Sequence, residues 1–212
     1  IIAGGALALE ASSNTDSAAI ADGSATKPEG TETQADVGIG VAVAINVVTV
    51  STQAYIPAGT TVTAGALSLT VSMTELDTDV AGVKETVNTH TVRATSGAGA
   101  SNVGVAGSLA LNVLTNNAKA YVAGNVTLSI PAGSTADGSV TITAQSNNAG
   151  TVTAEAAVAG GNVGVGASVA INIIVNNVLA YVADNAVLSG TADTDISDVT
   201  LSADLENSTS TT

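Results

Sequence analysis

The sequence predicts an all-β fold, a right-handed parallel β-helix (β-solenoid) forming one domain over residues 1–212 and continuing as an uncapped piece of a longer repeat array. Three observations carry this reading. A 20-residue segment recurs three times without a gap. A shorter segment with period-two alternation recurs four times around those copies. The side chains that fill both are small or β-branched: the chain has no Phe, Trp or Cys and only three Tyr, yet 45% of it is hydrophobic. Val, Ile and Thr favour strands, and an interior without aromatic rings is narrow and regular.

The short element comes first. It reads GALALEA from Gly5, GALSLTV from Gly65, GSVTITA from Gly138 and SDVTLSA from Ser197. Leu7 and Leu9 correspond to Leu67 and Leu69, to Val140 and Ile142, and to Val199 and Leu201. The residues between them are mostly Ser, Thr or Ala, which marks a strand with one buried face. The long element reads VGIGVAVAINVVTVSTQAYI (37–56), VGVAGSLALNVLTNNAKAYV (103–122) and VGVGASVAINIIVNNVLAYV (163–182). Its copies begin at Val37, Val103 and Val163, 66 and 60 residues apart. One parity is branched (Val41, Val43, Ile45) and the other small (Ala42, Ala44), and the small parity is expected either on an exposed strand or as a flat face packed against another layer or a neighbouring molecule. About three repeats of roughly 60–66 residues result. Ordinary strand lengths suggest two or three coils in each, hence about seven to nine coils.

Other repeat architectures fit less well. Propeller blades carry aromatic signatures, and a sandwich needs matched hairpin turns. Asp22–Gly23 and Asp137–Gly138 do not recur in register. Neither end resembles a polar capping unit, which a solenoid needs to stay soluble, so further repeats are expected on both sides.

The net charge is -14, with only four Lys plus Arg. Nucleic-acid binding depends on neutralising phosphates with cations, so no nucleic-acid partner is expected. Anionic membrane surfaces are disfavoured for the same reason. No apolar run reaches the roughly 20 residues of a membrane-spanning helix; residues 37–50 are interrupted by Gly38, Gly40 and Asn46. The absence of Cys excludes disulfides and thiolate metal sites.

The pattern VGxGxxVAxNxxxNNxxAYV, followed by a Gly-rich turn and GxLxLxA, resembles the repeats of bacterial leukotoxin-type and filamentous-haemagglutinin-like giant exoproteins and surface adhesins. The resemblance covers essentially the whole chain. It implies a long right-handed β-solenoid, located extracellularly or at a bacterial cell surface. It transfers no catalytic residue.

Several residue sets invite a chemical reading. Asn46, Asn112 and Asn172 recur at one position and read as residues stacked in turns that hydrogen-bond the backbone of neighbouring coils, a role suited to their amide and their tolerance of left-handed backbone; Asn116–Asn117 and Asn176–Asn177 read as the turn that follows. Tyr55, Tyr121 and Tyr181 read as rings packed at a corner with the hydroxyl reaching water or backbone, and one ring per repeat is too sparse for a sugar-binding platform. Asp77 and Asp79, with Asp193, Asp195 and Asp198, are weak calcium candidates, since calcium needs several oxygen ligands; solvated loop charge is the simpler role, and no cofactor is otherwise expected. His90 has no second His or Cys for a zinc site. Lys27, Lys84, Arg93 and Lys119 are scattered, so no carbohydrate-cleaving cluster forms and no enzyme is expected. The sequence thus points to a structural or adhesive shaft of a large secreted repeat protein, whose partners are further repeats stacked end to end or a host or neighbouring cell surface. The alternative is a subunit of a self-assembling extracellular filament or sheath. An ice-binding solenoid comes third, because the outward Ser/Thr pairs of the short element are interrupted at Ala8 and Glu10.

Overall fold

A computed structural model describes residues 1–25, 36–73, 79–80, 83–84, 87–134, 136–159, 161–190 and 195–212. Among them every regular element is a strand. In chain order these are β1 (Ala6–Ser12), β2 (Ser17–Asp22), β3 (Val37–Ile56), β4 (Thr61–Thr63), β5 (Ala66–Met73), β6 (Asp79–Val80) and β7 (Val83–Lys84). There follow β8 (Asn88–Gly99), β9 (Val103–Val122), β10 (Thr127–Ile130), β11 (Ser139–Ala159), β12 (Val163–Val182), β13 (Val187–Gly190) and β14 (Asp198–Thr211). The three long repeats of the sequence are thus three unbroken 20-residue strands.

Three parallel sheets stack the repeats on one another, in a solenoid-like arrangement. The front sheet is β3-β9-β12 and the short sheet is β4-β10-β13. The back sheet has four levels: β1 with β2, β5 with β8, β11, and β14. One circuit therefore runs back, front, short, and returns to the back one level further on. This corrects the expected coil number. Each repeat is one wide coil, because Asn112 and Asn172, 60 residues apart, are direct neighbours across a strand pair. Ordinary strand lengths misled the count: 20 apolar-alternating residues form one strand here, not two or three.

The register places like on like. Leu9, Leu69 and Ile142 form one row of the back sheet, as do Ala8, Ser68 and Thr141. Val43, Leu109 and Val169 form a row of the front sheet. The irregular spacing of the second repeat has a local cause. The back strand advances directly from Ser146 to Asn148 in β11, whereas the level below leaves at Met73 and returns at Asn88. That detour holds the antiparallel pair β6–β7, the only antiparallel pairing among the described strands.

Back and front strands of one coil face each other in opposite directions. Gly150 lies opposite Asn172, and Ala156 opposite Gly166. The space between them tapers. Near the short sheet the interior holds Ile56, Leu67, Leu69, Met73, Leu128 and Ile142, all at most 1% exposed. Toward the connection from back to front it narrows to Ala42, Ala44, Ala94 and Ala110. At its tip Gly38 and Gly40 face the carbonyls of Gly99 and Gly97 so closely that an added Cβ would collide with them. The narrowing settles which face of β3 is inside: the small residues pack against another layer, and the alternative of an exposed small face is wrong. The small residues point in, with Ala42 and Ala44 at 3% and 4% exposure, and the branched ones point out. Two sheets that converge leave room only for Gly and Ala between them.

Candidate functional site

The repeated asparagines lie inside the molecule, midway along the strands, not in turns. Inward alternation along β3, β9 and β12 brings Asn46, Asn112 and Asn172 into one row. Asn46 Nδ2 donates to Asn112 Oδ1 at 2.8 Å, and Asn112 Nδ2 donates to Asn172 Oδ1 at 2.9 Å. The ends of this ladder are tied to the back sheet: Asn46 Nδ2 also donates to Ser17 Oγ at 2.7 Å, and Asn172 Nδ2 to the Gly150 carbonyl at 3.0 Å. A Cβ at Gly150 would meet the ends of the Asn172 and Ile174 side chains at 2.8 Å, so a larger residue there would push the ladder's last amide aside. An amide carries both a donor and an acceptor, so a stack of them satisfies itself level by level. That explains why the same residue recurs at a buried position.

A second amide set lies beside the first. Asn116 and Asn176, expected in a turn, are inward residues of β9 and β12, and Asn116 Nδ2 donates to Asn176 Oδ1 at 2.9 Å. Asn148 Nδ2 donates to the same oxygen from the back sheet at 3.3 Å, and to Ser146 Oγ at 2.8 Å. Asn88 Nδ2 donates to the Met73 carbonyl at 2.8 Å, while its Oδ1 accepts from the Thr15 amide at 3.0 Å. Asn117 and Asn177 are the outward neighbours and form an exposed ladder at 2.9 Å. Together these residues make a polar band between two apolar cores. His90 belongs to it. Fully buried, it contacts Ser17 Oγ through Nδ1 at 2.7 Å, and Nε2 has no partner among the described residues. Burial lowers its pKa below the usual 6.5, and the nearby Asp16 carboxylate opposes that shift in part.

The tyrosines stand on the outer face, not at a packed corner. Tyr55, Tyr121 and Tyr181 form a continuous stack with ring centroids 5.0 Å apart and planes within 6° of parallel. One ring per repeat is one ring per coil, so they are not sparse. Their faces cover one another, however, and a sugar-stacking platform needs exposed ring faces. Burial within the stack, then the flanking Tyr181 and Tyr55, raises the Tyr121 hydroxyl above its ordinary pKa.

The true turns follow four residues after each tyrosine. Gly59, Asn125 and Asn185 all have positive φ, at 73°, 58° and 60°. Asn and Gly are the residues that accept this conformation cheaply. The three align in the sequence, so the signal was present there, but the strand asparagines drew the turn assignment instead.

The remaining candidates do not converge. Asp77 and Asp193 lie outside the described residues, and Asp79 is described by its backbone alone. Asp195 precedes β14, while Asp198 begins it and accepts from Thr200 Oγ1 at 3.1 Å. No group of three or more His, Cys, Asp or Glu suited to a metal occurs among the described residues. Arg93 pairs with Glu155 at 3.3 Å on the exposed back face, where such a pair contributes little. No family model, no curated protein and no solved structure matches this chain.

Proposed function

We propose that this chain is a shaft segment of a large secreted or bacterial cell-surface repeat protein, structural or adhesive in role and without catalysis, wound as a right-handed parallel β-helix. The observation that carries the reading is the identity of successive coils. Side chains bond to their own counterparts one level away, as in the Asn46–Asn112–Asn172 ladder and the tyrosine stack. Such an arrangement has no natural stopping point, and among the described strands β3 and β12 each pair along one edge only. Further coils of the same pattern, from the same chain or another copy, fit the other edges. Right-handed winding is the rule for parallel crossovers. The repeat's resemblance to giant surface exoproteins supports the same placement.

Pulling one molecule by its ends tests this. A shaft of independent coils gives up one coil of 60 or 66 residues at a time, in steps of about 22–24 nm at roughly 3.6 Å per residue. A single event that releases the whole chain contradicts the shaft reading. The filament alternative uses the same edges; growth of the purified chain into fibres, followed by light scattering, would favour it. Ice binding needs unbroken outward Thr rows, and the first level of both rows is Ala8 or Glu10 in place of Ser or Thr.

A further inference from the structure

The front sheet presents water with a face that has no partner in the fold. On β3, Val37, Ile39, Val41, Val43, Ile45 and Val47 all point outward and are 52% to 68% exposed. The matching positions of β12, from Val163 to Ile173, are Val or Ile except Ala167, and the Val and Ile side chains are 40% to 54% exposed. The strand between them adds Val105, Leu109, Leu111 and Val113 in the same rows. Exposed branched residues scattered singly mean little, but a contiguous patch marks an interface.

Its charge pattern says what fits. Of the 18 Asp and Glu in the chain, none lies on β3, β9 or β12, and Lys119 is their one charged residue. Lys119 sits beyond the apolar part, toward the tyrosines. A chain of net charge -14 repels its own copies over most of its surface. This face is where two copies can meet without that repulsion. An anionic bilayer finds no cations here to hold it.

The size is also adequate. Eleven residues from Val37 to Val47, at about 3.3 Å each, over three strands at about 4.8 Å, give roughly 500 Å² of projected apolar area per copy. Two copies then bury about 1,000 Å² at the least, the threshold for a specific interface. We infer that two copies pair face to face through the apolar half of the front sheet, about a two-fold axis, with their Val and Ile rows interdigitated as between the layers of a sandwich. With that axis running across the strands, the tyrosine ends project in opposite directions and stay outside the interface. This lateral pairing is independent of any end-to-end joining, which uses strand edges and not this face.

Leu111 serves as the probe, because it lies on the central strand and touches neither open edge. Sedimentation velocity of the wild-type chain is expected to show a concentration-dependent dimer. Leu111→Lys and Leu111→Glu should each weaken it at least tenfold with an unchanged far-ultraviolet spectrum, because each buries an unpaired charge in the apolar interface. Should either charged variant fail to fold, Leu111→Thr keeps strand propensity and should also weaken the dimer. A wild-type chain that stays monomeric at all concentrations overturns the pairing. So do Leu111 variants that dimerise as tightly as wild type, or a monomer that floats with neutral phosphatidylcholine vesicles, which assigns the face to lipid.

Discussion

Leu69 and its neighbour Ser68 offer a sharp contrast, because they occupy the same strand one residue apart. Leu69 is fully buried between Leu9 and Ile142, on the second of the four levels of the back sheet. Ser68 points to solvent between Ala8 and Thr141. Leu69→Ala removes about 1.5–3 kcal/mol of burial and leaves a cavity between two fixed levels, for a total of about 2–5 kcal/mol. In a chain of this length each kcal/mol shifts the melting temperature by about 2–4 °C, so a fall of roughly 7–14 °C is expected at the centre of that range. Leu69→Asp adds a carboxylate, and no Asp, Glu, Lys or Arg is buried among the described residues to partner it. Keeping that carboxylate charged or forcing it to take up a proton at neutral pH costs about 4 kcal/mol more. The total is comparable with the whole stability of an ordinary domain, and the variant should not fold. Ser68→Asp should stay within about 0.5 kcal/mol, or 1–2 °C. Circular dichroism melts of the three variants decide the matter. If Ser68→Asp lowers the melting temperature as much as Leu69→Ala, the inward and outward assignment of the back sheet is wrong.

Three further outcomes follow from the amide band and the turns. Asn112→Ala strips a donor from Asn172 Oδ1 and an acceptor from Asn46 Nδ2, and should cost about 2–4 kcal/mol in denaturant melts; Asn117→Ala, in the exposed ladder, should cost under about 1 kcal/mol. At Asn125, with φ of 58°, Gly should be nearly neutral while Val costs about 1–2 kcal/mol; equal melting points would contradict the turn. His90 has a lowered pKa in the folded chain, so below pH 6.5 the unfolded chain binds a proton that the folded chain does not. Its contribution is present above pH 6.5 and is lost as pH falls from there toward the folded value, at up to about 1.4 kcal/mol per pH unit. His90→Gln should flatten stability in that window, above the range where carboxylates titrate, and an unchanged slope would show that His90 is not the group responsible.

How far the sequence could be read depended on which physical cause dominated at each place. The bounds of the long element were legible to the residue, because an ungapped repeat must stack in register, but not that each copy is a single strand. The alternating Leu and Val of the short element identified the inner face of the back sheet for the same reason. The inner face of the front sheet stayed open between two readings, because hydrophobicity ranks the branched parity as the buried one while a flat Ala face can also pack against another layer. Between converging sheets the space admits only Ala and Gly, so volume overrode hydrophobicity and left Val43 and Ile45 outside. The asparagines were misread because a general preference for turns was applied to residues whose identity is set by self-pairing across levels. The positive-φ residues Gly59, Asn125 and Asn185 align only when Gly and Asn are treated as equivalent. Coil number was lost because strands of 20 residues lie far beyond the usual length.

One coil per repeat is the claim on which the rest depends, and a distance measures it. Thr49 and Val175 both flank Thr115 in the front sheet, two levels apart. With nitroxide labels on Thr49→Cys and Val175→Cys in this cysteine-free chain, the account places the backbones about 10 Å apart, which strongly broadens the continuous-wave electron paramagnetic resonance spectrum. Two or three coils per repeat would place them roughly 20–30 Å apart, and an unbroadened spectrum with a pulsed distance in that range would contradict the account.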